Sequence, residues 1–318
     1  MPQCPDVLII GAGVIGLTCA VRLAESGARV ELIADQIPGR TSLAAGALWG
    51  PYLVEPRQQV REWALASYAQ FAKLAQDPSN GVAMVAGIDA SRTPGPPPEF
   101  TDLVPDLTTV GPGRLPDGFA VGVRYTAPLI DMPRYLEVLL ERLHTAGGRV
   151  RTGHLDRLTE ASALAPFVLN ATGTGARDLV PDPSLYPIRG QLLVVENPGG
   201  ITEWFSEDTG TSSELTHWYP HGDMLVLGGQ AAAGEWSYAP DPAITRGILA
   251  RCAAIEPSLD RARILGHRVG LRPTRPQVRL DTERIGRSMI LHAYGHGGAG
   301  VTLSWGVAAQ VAGIVLAL

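Results

Sequence analysis

Several stretches of this 318-residue chain combine residue types and spacings that could do chemistry. Gly11-Ala-Gly-Val-Ile-Gly16 is a GxGxxG run directly after the apolar Asp6-Val-Leu-Ile-Ile10. Gly11 would permit a tight turn, Gly13 a close approach of backbone to a pyrophosphate, and Gly16 close helix–strand packing. A helix opening there offers free N–H groups and a partial positive charge to phosphates. Asp35, 19 residues past Gly16, can accept hydrogen bonds from a ribose diol. A GxGxxG alone is weak, because glycine turns also arise for steric reasons. Here strand, helix, second strand and acid all fall in place, which makes dinucleotide binding the reading without separating NAD from FAD.

At Val269-Gly-Leu-Arg-Pro-Thr-Arg-Pro276 two arginines stand between prolines in a locally stiff segment. Proline fixes its own φ and restricts its predecessor, so the guanidinium directions are held at little entropic cost. Such a fork suits a carboxylate; a solvated arginine or a structural ion pair is the plainer alternative. Tyr294-Gly-His-Gly-Gly-Ala-Gly-Val-Thr302 holds more glycine than an ordinary loop and opens an apolar helix. Its backbone could touch a flat ring, and the helix dipole could stabilise negative charge there, as on a reduced flavin. His296 is tempting as a base, but a histidine in a glycine loop is more often a structural hydrogen-bond donor. Arg40-Thr-Ser-Leu-Ala-Ala-Gly-Ala-Leu-Trp-Gly-Pro-Tyr52 reads equally as a surface return loop or as hydroxyls and small residues lining a cofactor.

The elements that must position these groups are partly legible. After the glycine run, Val14, Leu17, Ala20, Val21 and Leu23 recur at helical spacing, Gly27 ends the helix, and Arg29-Val-Glu-Leu-Ile-Ala34 is a strand: a βαβ unit. Residues 53–130, with Pro94-Gly-Pro-Pro-Pro98 and Gly111-Pro-Gly-Arg-Leu-Pro116, read as a loop-rich insertion with short strands. A helix is expected over Met132–Thr145, then strands at Gly148–Arg151 and Phe167–Asn170, the latter entering Ala171-Thr-Gly-Thr-Gly175. Residues 186–230 alternate as strands, and the chain closes on strand Ser288–His292, the glycine loop and a helix from Val301. That helix is apolar enough to raise a membrane span, but Thr302, Ser304 and Gln310 and the lack of a basic flank favour a core helix.

Hydrophobic residues at 45% and charged residues at 18% describe a globular balance with no sign of disorder. A net charge of −5 without a basic block argues against nucleic acid or an anionic membrane as partner. Three cysteines, Cys4, Cys19 and Cys252, lack metal spacing, so no metal is expected. Together with an amino terminus lacking a signal peptide, they suggest a reducing, cytoplasmic setting.

Taken together, Ile9–Gly16, Ala44-Ala-Gly-Ala-Leu-Trp49, Arg189-Gly-Gln191, Gly270–Arg279 and His292–Thr302 resemble the D-amino-acid oxidase family of FAD enzymes, which includes D-aspartate oxidase. They span nearly the whole chain in the expected order, and the last two are far more specific than GxGxxG. The resemblance implies an α/β fold: a Rossmann-like FAD-binding βαβ domain with an inserted β-rich α+β substrate domain. It implies FAD-binding segments 1–55, 132–180 and 262–318, and substrate-binding segments 56–131 and 181–261. It implies hydride transfer from the substrate Cα to flavin N5, giving an imino acid that hydrolyses to a 2-oxo acid and ammonia, with O2 reduced to H2O2. Such chemistry needs alignment more than an acid or base.

By position, Arg272 would clamp the substrate carboxylate and the Gly298 carbonyl would accept from its amine. The cofactor would meet Gly11, Gly13, Val14, Ile15 and Gly16, then Asp35, Gln36, Thr41 and Ser42. It would also meet Ala45, Gly46, Leu48, Ala171, Thr172 and Gly173, and at the far end Gly297, Gly298, Gly300 and Val301, with Thr302 bonding the flavin O2 edge.

One departure stands out: the family usually has tyrosine three residues before the proline matching Pro220, and here it is His217. The strand period puts His217 and Tyr219 on one face and Trp218 on the other. His217 could donate to the carboxylate or, when protonated, favour acidic side chains. No second pocket arginine is evident, so neutral D-amino acids are expected rather than D-aspartate. A monomer or homodimer acting on a D-amino acid and O2 is the expectation. The rivals are a glycine- or sarcosine-type flavin amine oxidase, an NAD-dependent dehydrogenase, and a non-catalytic dinucleotide-binding protein.

Overall fold

The structure, a computed structural model, describes residues 4–51, 54–98, 100–210 and 212–317. The chain begins β1 (Val7–Ile10), α1 (Val14–Glu25), β2 (Val30–Ala34) and the single turn α2 (Arg40–Leu43). Next come α3 (Arg57–Leu74), β3 (Val82–Ser91), β4 (Thr108–Val110) and β5 (Val121–Ile130). Then follow α4 (Met132–Thr145), β6 (Arg149–Thr152), α5 (Leu158–Ser162), β7 (Phe167–Asn170) and α6 (Ala176–Leu179). A second run holds β8 (Tyr186–Glu196), β9 (Trp204–Glu207), β10 (Glu214–His221), β11 (Met224–Gln230), β12 (Ala232–Ala233) and α7 (Pro242–Ile255). The described chain ends with β13 (Ile264–Ile285), β14 (Ser288–His296) and α8 (Gly300–Leu316).

One end of the sheet is parallel, in the order β14-β7-β1-β2-β6. Its strands come from three separated parts of the chain. All four residues of β1 are buried, because helices cover both faces. Val7 and Ile9 join a core with α1, α4 and α8, whereas Leu8 and Ile10 pack with Leu158 and Ala161 of α5. The other end is mostly antiparallel, running β4-β5-β3-β9-β10-β11-β8. The 22-residue β13 joins the two ends, pairing with β8 through Thr274 and with β14 through Ile285. The Pro-flanked arginines therefore lie inside a strand rather than a loop. Arg272 and Pro273 are still in register with β8, opposite Ile188 and Pro187, whereas Arg275 and Pro276 fall in the register shift between Thr274 and Arg279 where β13 passes to β14.

Residues 53–130 depart from the expected loops and short strands. They hold the 18-residue α3 and two ten-residue strands. The apolar positions Val60, Trp63, Ala64, Phe71 and Leu74 give α3 a buried face. That face packs on α8: Trp63 Nε1 donates to Gln310 Oε1 at 2.7 Å, and a Cβ on Gly306 would stand 2.3 Å from Trp63 Cα. Only a residue without a side chain allows so close a crossing. The Gly297–Leu316 stretch is long and apolar enough to cross a membrane, yet 67% of its most apolar window is buried inside the protein. It serves here as a core helix.

Candidate active site

The site starts at the turn after β1. Gly11 has φ +108°, and a Cβ there would stand 2.4 Å from the Ala171 carbonyl oxygen. A Cβ on Gly16 would stand 1.9 Å from the Gly11 oxygen, so α1 can start this close to β1 only with glycine at both places. Gly39 closes on the same turn, its amide donating to the Ala12 carbonyl at 2.8 Å. The α8 amino terminus follows Gly297 (φ +53°) and carries no side-chain cap and no acid in its first turn. Both helix amino termini open onto one cavity of about 1730 Å³. That volume exceeds the usual range for a drug-sized ligand and suits an extended dinucleotide plus substrate.

Gly11, Gly13, Val14 and Ile15 line this cavity, as do Asp35, Gln36, Thr41 and Ser42. So do Ala45, Gly46 and Leu48, then Ala171, Thr172 and Gly173, and at the other end Gly297, Gly298, Gly300, Val301 and Thr302. Gly16 lies behind the turn and does not line it, in keeping with a packing role. All four of the hydroxyls have protein partners, Thr172 Oγ1 donating to Asn170 Oδ1 at 2.7 Å. Ser42 Oγ accepts from the Val14 amide at 2.9 Å, and Thr41 Oγ1 donates to the Leu271 carbonyl at 3.1 Å. Thr302 Oγ1 donates to the Gly50 carbonyl at 3.2 Å. The segment from Arg40 thus lines the cavity while its hydroxyls dock it onto α1 and β13; Tyr52, its last residue, lies outside the described residues.

Arg272 lines the cavity from β13, half-buried, with Nη1 donating to the Gln230 carbonyl at 3.2 Å. Its guanidinium lies over Gly190, where a Cβ would stand 2.7 Å from Nη2, and its stem passes Gly298. No carboxylate pairs with it among the described residues, and burial lowers its pKa, the sign of a cation held without its counter-charge. Arg275, by contrast, pairs with Asp182 at 2.9 Å and is structural. The cavity wall also includes Arg40, Arg57 and Arg61, which were not anticipated there. Arg57 and Arg61 are paired with Glu55 and Asp102, and Arg40 stacks over Tyr238.

His217 and Tyr219 stack at 4.5 Å and both face the cavity, while Trp218 points into the opposite core against Phe205. A Cβ on Gly228 would collide with the His217 ring, and one on Gly46 would stand 2.9 Å from the Tyr219 ring. These glycines, with Gly190, make the room that the sequence reading missed. A glycine inside a strand is the signal for such close approach. Burial pushes His217 down to about 3, with Arg272 and Arg251 reinforcing it. Of the two roles considered from sequence, this environment favours the neutral imidazole as a hydrogen-bond donor over the protonated one. Burial also holds His296 down at about 4, and its Nε2 is buried without a partner at the cavity wall. Nε2 does not make the structural hydrogen bond expected of His296 among the described residues; an orphaned nitrogen at this wall fits a polar group of a bound cofactor.

These shifts carry a pH prediction. His217, His296, His221 and His292 all titrate below the ordinary imidazole range. In the unfolded chain they regain a pKa of about 6.5, so unfolding takes up protons as pH falls from about 6.5 towards 4. Asp89, raised to about 7 by burial and by Asp208, and the exposed His154, raised by its hydrogen bond to Asp35, act in the opposite sense, but they are two groups against four. Stability should therefore be full above pH 6.5 and decline below it, seen as a lower urea midpoint at pH 4.5 than at pH 7. Equal midpoints would mean that these imidazoles are not held neutral by the fold.

A dinucleotide-sized cavity where the parallel end of the sheet meets the antiparallel end, with two helix amino termini opening onto it, fits a protein that binds a dinucleotide cofactor, flavin or nicotinamide. The family model described as FAD dependent oxidoreductase (DAO) matches residues 6–314, and the chain belongs to that family, with FAD as its cofactor. This removes the nicotinamide alternative. The chain is 43% identical over 310 residues to a D-amino-acid oxidase of Rubrobacter xylanophilus, covering 96% of this chain and 94% of that one. It is 33% identical over 326 residues to the human D-aspartate oxidase, covering 97% and 94%. Among solved structures it superposes on glycine oxidase from Geobacillus kaustophilus with TM-score 0.83 at 19% identity, covering 98% and 95%, a likeness of fold.

Proposed function

We propose that this chain carries out the FAD-dependent oxidative deamination of D-amino acids, acting on neutral ones in preference to D-aspartate. The observation that carries the reading is Arg272: a cavity-lining guanidinium with no carboxylate partner among the described residues, beside the glycine loop that opens α8. A substrate carboxylate supplies the counter-charge it lacks. His217, neutral, donates a hydrogen bond to that carboxylate without adding charge, and the Gly298 carbonyl accepts from the substrate amine. Tyr219 walls the substrate against Gly46. Bound FAD supplies the hydride acceptor. The Gly11–Ile15 turn, Asp35, Gln36 and the Gly297–Thr302 backbone would hold it.

The products on this reading are a 2-oxo acid, ammonia and hydrogen peroxide. The preference over D-aspartate rests on the other cavity arginines being committed to Glu55, Asp102 and Tyr238. The relatives named D-amino-acid oxidase favour this reading over a glycine- or sarcosine-type oxidase. We take the domain limits as 1–55, 132–180 and 262–318 for FAD, and 56–131 and 181–261 for substrate. The compartment is taken as cytoplasmic on the strength of three free thiols, and the working form as a monomer or homodimer.

Anaerobic reduction of the flavin by paired D- and L-amino acids, followed by H2O2 measurement in air, tests the proposal. D-alanine or D-valine should bleach the protein and the L-isomers should not. Bleaching by L-isomers alone, or by none, would sink it.

A further inference from the structure

A carboxylate that neither the glycine loops nor the arginine segment accounts for faces the same cavity. Asp89 on β3 pairs in register with Ser206 on β9, and Ser206 with His217 on β10. Residues directly opposite across strands share a face, and Asp89, Ser206 and His217 all line the cavity. Asp89 makes no side-chain hydrogen bond or ion pair among the described residues. The nearby cations are committed elsewhere: Arg92 pairs with Glu207 and Arg124 with Glu203. Burial and the neighbouring Asp208, which also lines the cavity, raise its pKa to about 7, so this carboxylate lacks a positive partner. Tyr219 feels the charges of both Asp89 and Arg272, in opposite senses, so both lie within electrostatic reach of its hydroxyl.

We propose that Asp89 is a specificity-determining residue that lets the enzyme accept D-amino acids whose long side chain ends in a cation, such as D-lysine. This rests on the D-amino-acid reading above and extends its substrates beyond neutral ones. A substrate held by its carboxylate at Arg272 directs its side chain past Tyr219 and His217 towards β3. Two strand spacings, roughly 10 Å, separate the backbones at His217 and Asp89. A short side chain falls short of Asp89, whereas a lysine-length one reaches it. The ammonium then pairs with a carboxylate that already lies mostly out of water, and the aliphatic stem lies on the Tyr125 and Tyr219 side of the cavity. The same charge repels an acidic side chain.

The test measures kcat/KM of the FAD-loaded enzyme at pH 8 for D-lysine, D-norleucine and D-2-aminoadipate. Wild type should favour D-lysine over D-2-aminoadipate by at least about tenfold. In Asp89→Asn the D-lysine to D-norleucine ratio should fall about tenfold, mainly through KM, and Asp89→Glu should restore part of it. An unchanged ratio in Asp89→Asn, or wild type oxidising D-2-aminoadipate as well as D-lysine, overturns the assignment. D-norleucine turned over while D-lysine is not overturns it too, yet leaves the D-amino-acid reading standing. Turnover of no D-amino acid sinks both.

Discussion

Replacing Arg272 by Ala should cut kcat/KM for neutral D-amino acids by roughly 10²- to 10³-fold while leaving the protein yellow. The size follows from where the guanidinium sits. It is half-buried against Gly190 and Gly298, satisfied by one backbone carbonyl, and already destabilised as a cation by its surroundings. A carboxylate docking there forms charge-assisted bonds in a poorly hydrated place, where removing one partner strands the other. Arg272→Lys should recover only part, because a point charge cannot reproduce a planar fork. The readouts are peroxide formation across a D-alanine series and the visible spectrum of the purified variant. Loss of bound FAD from Arg272→Ala would show that the residue supports the cofactor, and the substrate assignment would fail.

The second large effect is expected at Gly16. A Cβ there would stand 1.9 Å from the Gly11 carbonyl oxygen and 3.0 Å from its carbon, both backbone atoms that no rotamer can move. Gly16→Ala must push α1 away from β1 and open the turn, at a cost of about 1–3 kcal/mol or more. The variant should purify with little or no FAD and a lowered Tm. Gly13→Ala offers the contrast: its Cβ would meet only Ser42 Oγ, at 3.3 Å. It should hold its Tm far better, yet lose FAD affinity if backbone at Gly13 approaches the pyrophosphate. A fully loaded, thermally normal Gly16→Ala would refute the packing account.

Legibility followed how local each signal was. The βαβ unit could be read because a buried four-residue strand, a glycine turn and a 3.6-period helix are all consequences of neighbouring residues. The helix Met132–Thr145 emerged with its observed bounds for the same reason. The α3 helix was missed although Val60, Trp63, Ala64, Phe71 and Leu74 follow helical spacing, because the prolines and glycines downstream coloured the whole stretch. The Arg272 segment was read as locally stiff without being assigned to a strand, because two prolines in a strand are unusual. Pro273 stands opposite Pro187 of β8, and Pro276 falls in the register shift where β13 passes to β14. Asp89 gave no sequence signal, since a lone acid among apolar residues does not announce which strands will pair beside it.

The order of residues by itself determined the nucleotide turn, the strand faces that set His217 and Tyr219 together, and the presence of an arginine suited to a carboxylate. Each depends on backbone sterics or side-chain period over a few residues. Tertiary structure alone decided which groups are free to act. Ser42, Thr41 and Thr302 bond to segments 28 to 252 residues away, and Arg275 is taken by Asp182 while Arg272 is left open. It also decided charge: His217 is neutral and Asp89 hard to ionise because desolvation and distant neighbours, not local sequence, set the cost of a buried charge.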